Sequence, residues 1–241
     1  MDSFDRRRSV TSTWVLGDIH GCADELQELI SRLELQPEDR LISVGDLFHR
    51  GPKPLEVAQI LSAIPQFELV LGNHERVLAD RLAQLPLDAD LNGFEAADLA
   101  GDGGTPMASF DPSQSAVILE LVRKGVLFLR GEHEGQPWLV VHAGLIPGKP
   151  VEENTPFELT RVRNLEGIRG NPFWSEVWTG PELVLYGHTS APTVRPRFVG
   201  ERLVALGLDT GCVYGGALTA FRVEDGQRIE VAAKQRYYPL R

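Results

Sequence analysis

Asp18, His20, Asp46, Asn73, His142 and His188 each stand just behind a short apolar run, in the fragments Gly17-Asp18-Ile19-His20-Gly21, Gly45-Asp46, Gly72-Asn73-His74-Glu75, His142-Ala143-Gly144 and Gly187-His188-Thr189. Carboxylate, amide oxygen and imidazole are the donors that hard and borderline divalent cations accept, and a carboxylate such as Asp46 has two oxygens with which to bridge a pair of them. Two ions about 4 Å apart can hold a hydroxide between them, neutralise a phosphate and stabilise both the entering and the leaving oxygen. A lone Gly-Asp at a strand end is ordinarily a turn with a helix-capping aspartate. Five such fragments in one chain make a set, and the expected chemistry is metal-dependent phosphoester or phosphoanhydride hydrolysis. Two divalent ions are expected, manganese first, with iron, zinc and cobalt suiting the same donors.

The elements that must position these donors follow from the apolar runs. Residues 14–16, 41–44, 68–71, 138–141 and 183–186 read as buried strands, each stopped by a tight turn that carries a donor. Between the first three lie helix-like stretches at 23–32, 54–63 and 76–85, with apolar residues three and four apart. Strand–helix alternation implies a partly parallel sheet whose ligands collect at the carboxyl ends of the strands. After Thr189 shorter β-like runs at 203–208, 217–223 and 228–232 suggest a second, more antiparallel sheet. The expected fold is therefore α/β: two mixed sheets in a sandwich flanked by helices, in one domain spanning residues 1–241. Residues 1–12 are expected to be a flexible tail, and the Asp-, Gly- and Ala-rich stretch 86–112 a partly helical cap over the site.

Composition narrows the substrate. With 241 residues, 42% of them hydrophobic and 24% charged, the chain has the make-up of an ordinary globular protein. A net charge of -10 argues against stable, sequence-independent nucleic-acid binding, so a phosphorylated or nucleotide substrate must meet local cations. Arg6-Arg7-Arg8 is the basic cluster near the N-terminus; no long apolar run follows it, so neither a signal peptide nor a membrane anchor is expected. Cys22 and Cys212 lack zinc-like spacing and read as two reduced thiols, with cytoplasm the simplest compartment.

The order GDIHG, GDLFHRG, GNHE, HAG, GHT resembles the phosphoprotein phosphatase family of metallophosphoesterases, over residues 14–188. The run Leu208-Asp209-Thr210-Gly211-Cys212-Val213-Tyr214-Gly215-Gly216 extends the likeness toward the family's bacterial diadenosine tetraphosphate hydrolase branch, of the symmetrical bis(5'-nucleosyl)-tetraphosphatase kind. The resemblance implies a calcineurin-like fold. Position by position, it makes Asp18, His20 and Asp46 ligands of one metal, and Asp46, Asn73, His142 and His188 ligands of the other. It makes His74 the general acid and Arg50 a phosphate clamp, with Arg161 or Arg163, the latter slightly favoured, acting from the opposite side. The implied activity is phosphoanhydride hydrolysis in dinucleoside polyphosphates. The alternatives are a protein serine/threonine phosphatase and a non-catalytic nucleotide or phosphopeptide sensor.

Two departures from the family pattern bear on the substrate. Many of its protein phosphatases place an aspartate just before the clamp arginine, where it orients the acid histidine; here the residue is His49. Acid help matters most for a basic alkoxide such as serine's and little for a phosphate or ADP oxygen, so the change tilts the expectation toward phosphoanhydrides. His49 is otherwise read as solvent-facing, with Glu75 or another carboxylate orienting His74. The stretch between His142 and Arg161 is also short where the dinucleotide hydrolases carry a helical insertion, which puts the adenosine-binding wall there in question. Residues 101–105 read as a plain turn, Trp174 and Trp178 as core or rim packing, and His133 as uninvolved.

Overall fold

The structure, a computed structural model, describes residues 11–239; the Arg6-Arg7-Arg8 cluster and most of the tail expected over residues 1–12 lie outside them. Strands β1 (Thr13–Leu16), β2 (Arg40–Ser43) and β3 (Phe67–Leu69) are separated by helices α1 (Ala23–Leu33) and α2 (Pro54–Ser62), and α3 (Asn73–Leu82) follows. β1 pairs with β2, and β2 with β3, in parallel, so all three release their chains at the same edge. Helix α4 (Ser115–Lys124) leads to β4 (Phe128–His133) and β5 (Gln136–Val141), and α5 (Pro156–Arg161) precedes β6 (Leu183–Tyr186). The chain ends with β7 (Arg195–Val199), β8 (Arg202–Gly207), β9 (Ala217–Arg222) and β10 (Arg228–Ala232).

Two five-stranded mixed sheets result, in the orders β10-β9-β1-β2-β3 and β4-β5-β6-β8-β7. The expected two-sheet sandwich is present, but not with the expected membership. β9 and β10 return to the first sheet, β9 antiparallel to β1, while β8 lies parallel to β6 in the second. Period-2 alternation assigns the layers. Val15 of β1, Ile42 of β2, Trp138 and Val140 of β5 and Leu183 and Leu185 of β6 fill the layer between the sheets. Trp14 and Leu16 face the layer under α1 to α4. Leu139, Val141, Val184 and Tyr186 face the opposite side, where Trp174 and Trp178 pack, as core residues.

The elements the sequence did not announce have local reasons. β4 and β7 are edge strands of mixed polarity, Phe-Leu-Arg-Gly-Glu-His and Arg-Pro-Arg-Phe-Val, and the apolar-run criterion passes over both. Helix α3 begins at Asn73 rather than 76, so a predicted donor forms its first turn. Residues 86–112 carry one short 3-10 turn, Asp102–Gly104, and bury Leu91, Ala96, Leu99 and Met107 against the helical layer. No helix of the described residues is long and apolar enough to cross a membrane.

Candidate active site

The donors emerge where the parallel strands of both sheets end. The loops after β1 and β2 are stitched together: the N–H groups of Ile19 and His20 donate to the Asp46 carbonyl at 3.2 and 2.8 Å. The loops after β5 and β6 are joined by the Gly187 N–H donating to the His142 carbonyl at 2.7 Å. The His188 N–H then crosses between the sheets to both carboxylate oxygens of Asp18, at 3.1 Å each. Glycine is needed at 187 because a Cβ there would stand 2.0 Å from an Asp18 carboxylate oxygen. His20, Asp46, Arg50 and His188 all have positive φ, the left-handed region where a Cβ is crowded. Backbone strain is thus gathered on four of the residues expected to do chemistry.

These loops bring together all the residues expected to be ligands. Asp18, His20 and Asp46 place one donor atom each within 4.8 Å of one another, and so do Asp46, His142 and His188, with Asp46 common to both groups. Hydrogen bonds fix which atoms face inward. The Nδ1–H of His142 donates to the Val44 carbonyl at 2.8 Å, leaving a lone pair on Nε2. That nitrogen faces Asn73 Oδ1 at 3.0 Å, His188 Nδ1 at 3.1 Å and Asp46 Oδ1 at 3.5 Å. The Asn73 amide is oriented by its NH2 group, which donates to Asp102 at 2.9 Å. At most one proton, on His188 Nδ1, is there to share among three acceptors, and His188 Nε2 is buried without a partner. Converging lone pairs of this kind fit a cation, and oxygen with imidazole fits a divalent one.

Charge follows the same geometry. Burial, then Asp209 and Asp46, push the Asp18 carboxyl well up. Burial acts the same way on Asp46, but His142, His74, His20 and Arg50 outweigh it and hold that group well below the usual range. Burial lowers His20, helped by Arg50, and lowers His188, helped by His142 and Arg163. Both rings are thereby kept as neutral donors.

His74 and the arginines stand at the cleft. Arg50 bonds the Nε2 atoms of both His20 and His74, the latter at 2.8 Å. Arg163 lines the same cavity as Arg50 and donates to the His188 carbonyl at 3.4 Å, while Arg161 instead pairs with Asp102 at 2.8 Å. The solvent-facing reading of His49 is overturned. Its ring is wholly buried, stacks on His74 at 4.9 Å and 24°, and donates from Nε2 to the Leu99 carbonyl at 2.9 Å. Burial, then His74, lower its pKa to about 4. Glu75 does not orient His74 either; its carboxylate accepts the N–H groups of Asp46 and Leu47 at 2.7 and 2.9 Å and so fixes the loop of the shared donor.

Residue Asp102, in the turn read from sequence as plain, touches three of the expected site residues. Its carboxylate accepts from Asn73 and Arg161, and its backbone N–H donates to His74 Nδ1 at 3.1 Å. Gly101 allows the approach, since a Cβ there would lie 2.4 Å from that nitrogen. Asp209, Tyr214 and Tyr238 also line the cleft. The Gly-Asp-Gly-Gly composition of 101–104 was the sequence signal for Asp102; Tyr238, far along the chain, had none.

This fold, with carboxylate, amide and imidazole donors at the strand ends of two mixed sheets, defines a metallophosphoesterase. The chain belongs to the calcineurin-like phosphoesterase family, whose sequence pattern matches residues 11–216. Among its relatives, an asymmetrical bis(5'-nucleosyl)-tetraphosphatase of Halalkalibacterium halodurans is 30% identical, over 92% of this chain and 94% of the relative. A symmetrical bis(5'-nucleosyl)-tetraphosphatase of Photobacterium profundum is 28% identical over 92% and 97%. A solved structure assigned as a diadenosine tetraphosphatase superposes with a TM-score of 0.70 at 26% identity, covering 94% of this chain and 95% of that one. The chain is a hydrolase of this family, which implies divalent metal ions.

Proposed function

We propose that the protein hydrolyses phosphoanhydride bonds in dinucleoside polyphosphates of the diadenosine tetraphosphate type. Asp18, His20 and Asp46 would hold one divalent ion, and Asp46, Asn73, His142 and His188 a second, with manganese the expected metal. The ions would supply charge neutralisation of the phosphate and an activated water. The observation that carries the reading is the convergence of acceptor atoms around Asp46 with so few hydrogens to share.

The chain's own residues suit an anhydride. Arg50 and Arg163 flank a cavity of about 320 Å3 and offer planar, permanently charged forks to phosphate oxygens. Arg50 also borders an adjoining hollow of about 400 Å3 lined by Pro52, Met107, Arg236 and Tyr237, so room exists on both sides of the clamp for a substrate with two nucleoside ends. Tyr214 and Tyr238 offer ring faces to a base in the first cavity. His74 Nδ1 accepts the Asp102 N–H and its Nε2 faces the Arg50 guanidinium at 2.8 Å, so both ring nitrogens meet N–H donors. A doubly protonated ring would set N–H against N–H. The acid form of His74 is thereby disfavoured, which suits an ADP or ATP oxygen that leaves without a proton better than a serine alkoxide. A cytoplasmic setting, suggested by two unpaired cysteines, belongs to the same proposal.

The test compares the manganese-loaded enzyme on diadenosine tetraphosphate and on a phosphoserine peptide. Faster turnover of the dinucleotide is expected, and the products, two ADP or ATP plus AMP, assign the cleaved bond. Faster peptide turnover would identify a protein serine/threonine phosphatase, and turnover of neither a sensor. His74→Asn should slow alkoxide leaving groups more than nucleotide ones; equal losses would remove the argument from His74.

A further inference from the structure

Cys22 and Cys212 meet beside the β1–α1 loop, where the Cys22 thiol faces the His20 carbonyl at 3.8 Å. Cys22 precedes α1, Glu25 lies in the first turn of that helix, and Cys212 opens the 3-10 turn Cys212–Tyr214. The two sulfurs and one Glu25 carboxylate oxygen lie within 4.8 Å of one another, and all three residues are buried, Glu25 completely. Glu25 Oε1 accepts the Lys234 N–H at 2.8 Å and the Tyr237 hydroxyl at 2.9 Å, whereas Oε2 is buried with no hydrogen-bond partner. An unpaired carboxylate oxygen out of water is expensive unless something positive answers it. A cavity of about 330 Å3, bordered by Cys22, Asp24, Glu25, Lys53, Lys234 and Tyr237, reaches the cluster from outside.

We propose that Cys22, Glu25 and Cys212 form a second metal site, separate from the catalytic one, for a thiophilic divalent cation of the zinc class. Two thiolates with a carboxylate suit zinc, while magnesium and calcium avoid sulfur. Binding breaks two S–H bonds, forms two metal–sulfur bonds and releases two protons, with no change of oxidation state. The excess negative charge of such a site would be offset by Lys53 and Lys234, which meet at Asp24 at its mouth. No residue is shared with the catalytic donors, yet each contributing segment continues into the cleft. Asp18 and His20 precede Cys22, Asp209 precedes Cys212 and Tyr214 follows it, and through Glu25 the site holds the segment that carries Tyr238. A cation here would pin the walls of the cleft together.

The catalytic donors include no sulfur, which makes cobalt a discriminating probe. The full-length protein, reduced and freed of metal with a chelator, is titrated with cobalt and followed for the near-ultraviolet sulfur-to-cobalt charge-transfer band. A band that saturates, is displaced by zinc and is lost in Cys212→Ser is expected. No such band at excess cobalt, or one that persists in Cys212→Ser, overturns the proposal. Should that variant fail to fold, alkylation of the native wild-type protein decides: zinc should shield both thiols and a chelator expose them. Equal alkylation with and without zinc, or recovery of the two residues as a disulfide from the reduced protein, refutes the site. Neither readout depends on which phosphate compound is hydrolysed.

Discussion

Val15 and Leu185 face each other's sheets across a layer of aliphatic and aromatic side chains, while a few residues further along the same two strands Asp18 and His188 meet among carboxylates and imidazoles. The two regions are adjacent and are made by the same alternation, but they obey opposite rules. Between the sheets the packed side chains are aliphatic and aromatic. At the strand ends Asp18, Asp46 and Asp209 crowd together, Asp18 and Asp209 both pushed up, the latter to about 6, and four of the surrounding residues hold positive φ. Strain and like charge of this kind persist only where neighbouring structure over-determines them. Stability in this protein is therefore expected to reside in the layer and reactivity at its rim, and substitutions should separate the two.

The largest separation is expected from Asn73→Ala. Hydrolysis should fall on the order of 1000-fold or more, about 4 kcal/mol in the barrier, while the melting temperature stays within about 4 °C. A large loss of stability would show that the donors also hold the sheets together. The mirror experiment is Leu185→Ala in the layer, which should cost about 2–5 kcal/mol of folding free energy by denaturant titration while the folded fraction retains its kcat. Asp102→Ala should come next, with a loss of about 10–100-fold, chiefly in kcat, because its carboxylate orients the Asn73 amide, while the backbone N–H to His74 is retained. A loss confined to KM would instead make Asp102 part of the substrate wall.

The smallest effect belongs to a third kind of place, the solvated turn after β9. There Arg222 hydrogen-bonds Asp225 and holds its carboxyl down at about 2. A depressed folded-state value contributes stability above the ordinary carboxylate range and loses it as pH falls through about 2. Because half of the Asp225 side chain is exposed, Asp225→Asn should cost under about 1 kcal/mol at neutral pH. The difference from wild type should fade in acid unfolding curves toward pH 2.

The donors were legible because each is tied to its own strand end by a glycine-bounded turn, a signal confined to a few neighbouring residues. Asp18, His20, Asp46, Asn73, His142 and His188 could be named, and the strands carrying them drawn, from such local signals. The membership of the sheets was not legible, because β9 pairs with β1 across nearly the whole chain. The role of position 49 was not legible either, since whether His49 is buried depends on Leu99 and Gly101 folding over it.

What the residues settled by themselves was the inventory: which hard donors exist, in what order, each behind an apolar run long enough to be a strand. Only the tertiary structure decided what those donors and their neighbours meet. It set an aspartate of the 86–112 segment behind the Asn73 amide, a backbone N–H rather than a carboxylate against His74, and two cysteines from opposite ends of the chain beside one buried glutamate. The physical reason is that hydrogen bonding, lone-pair repulsion and metal coordination act over a few ångströms of space, and distance along the chain says nothing about that separation until the sheets close.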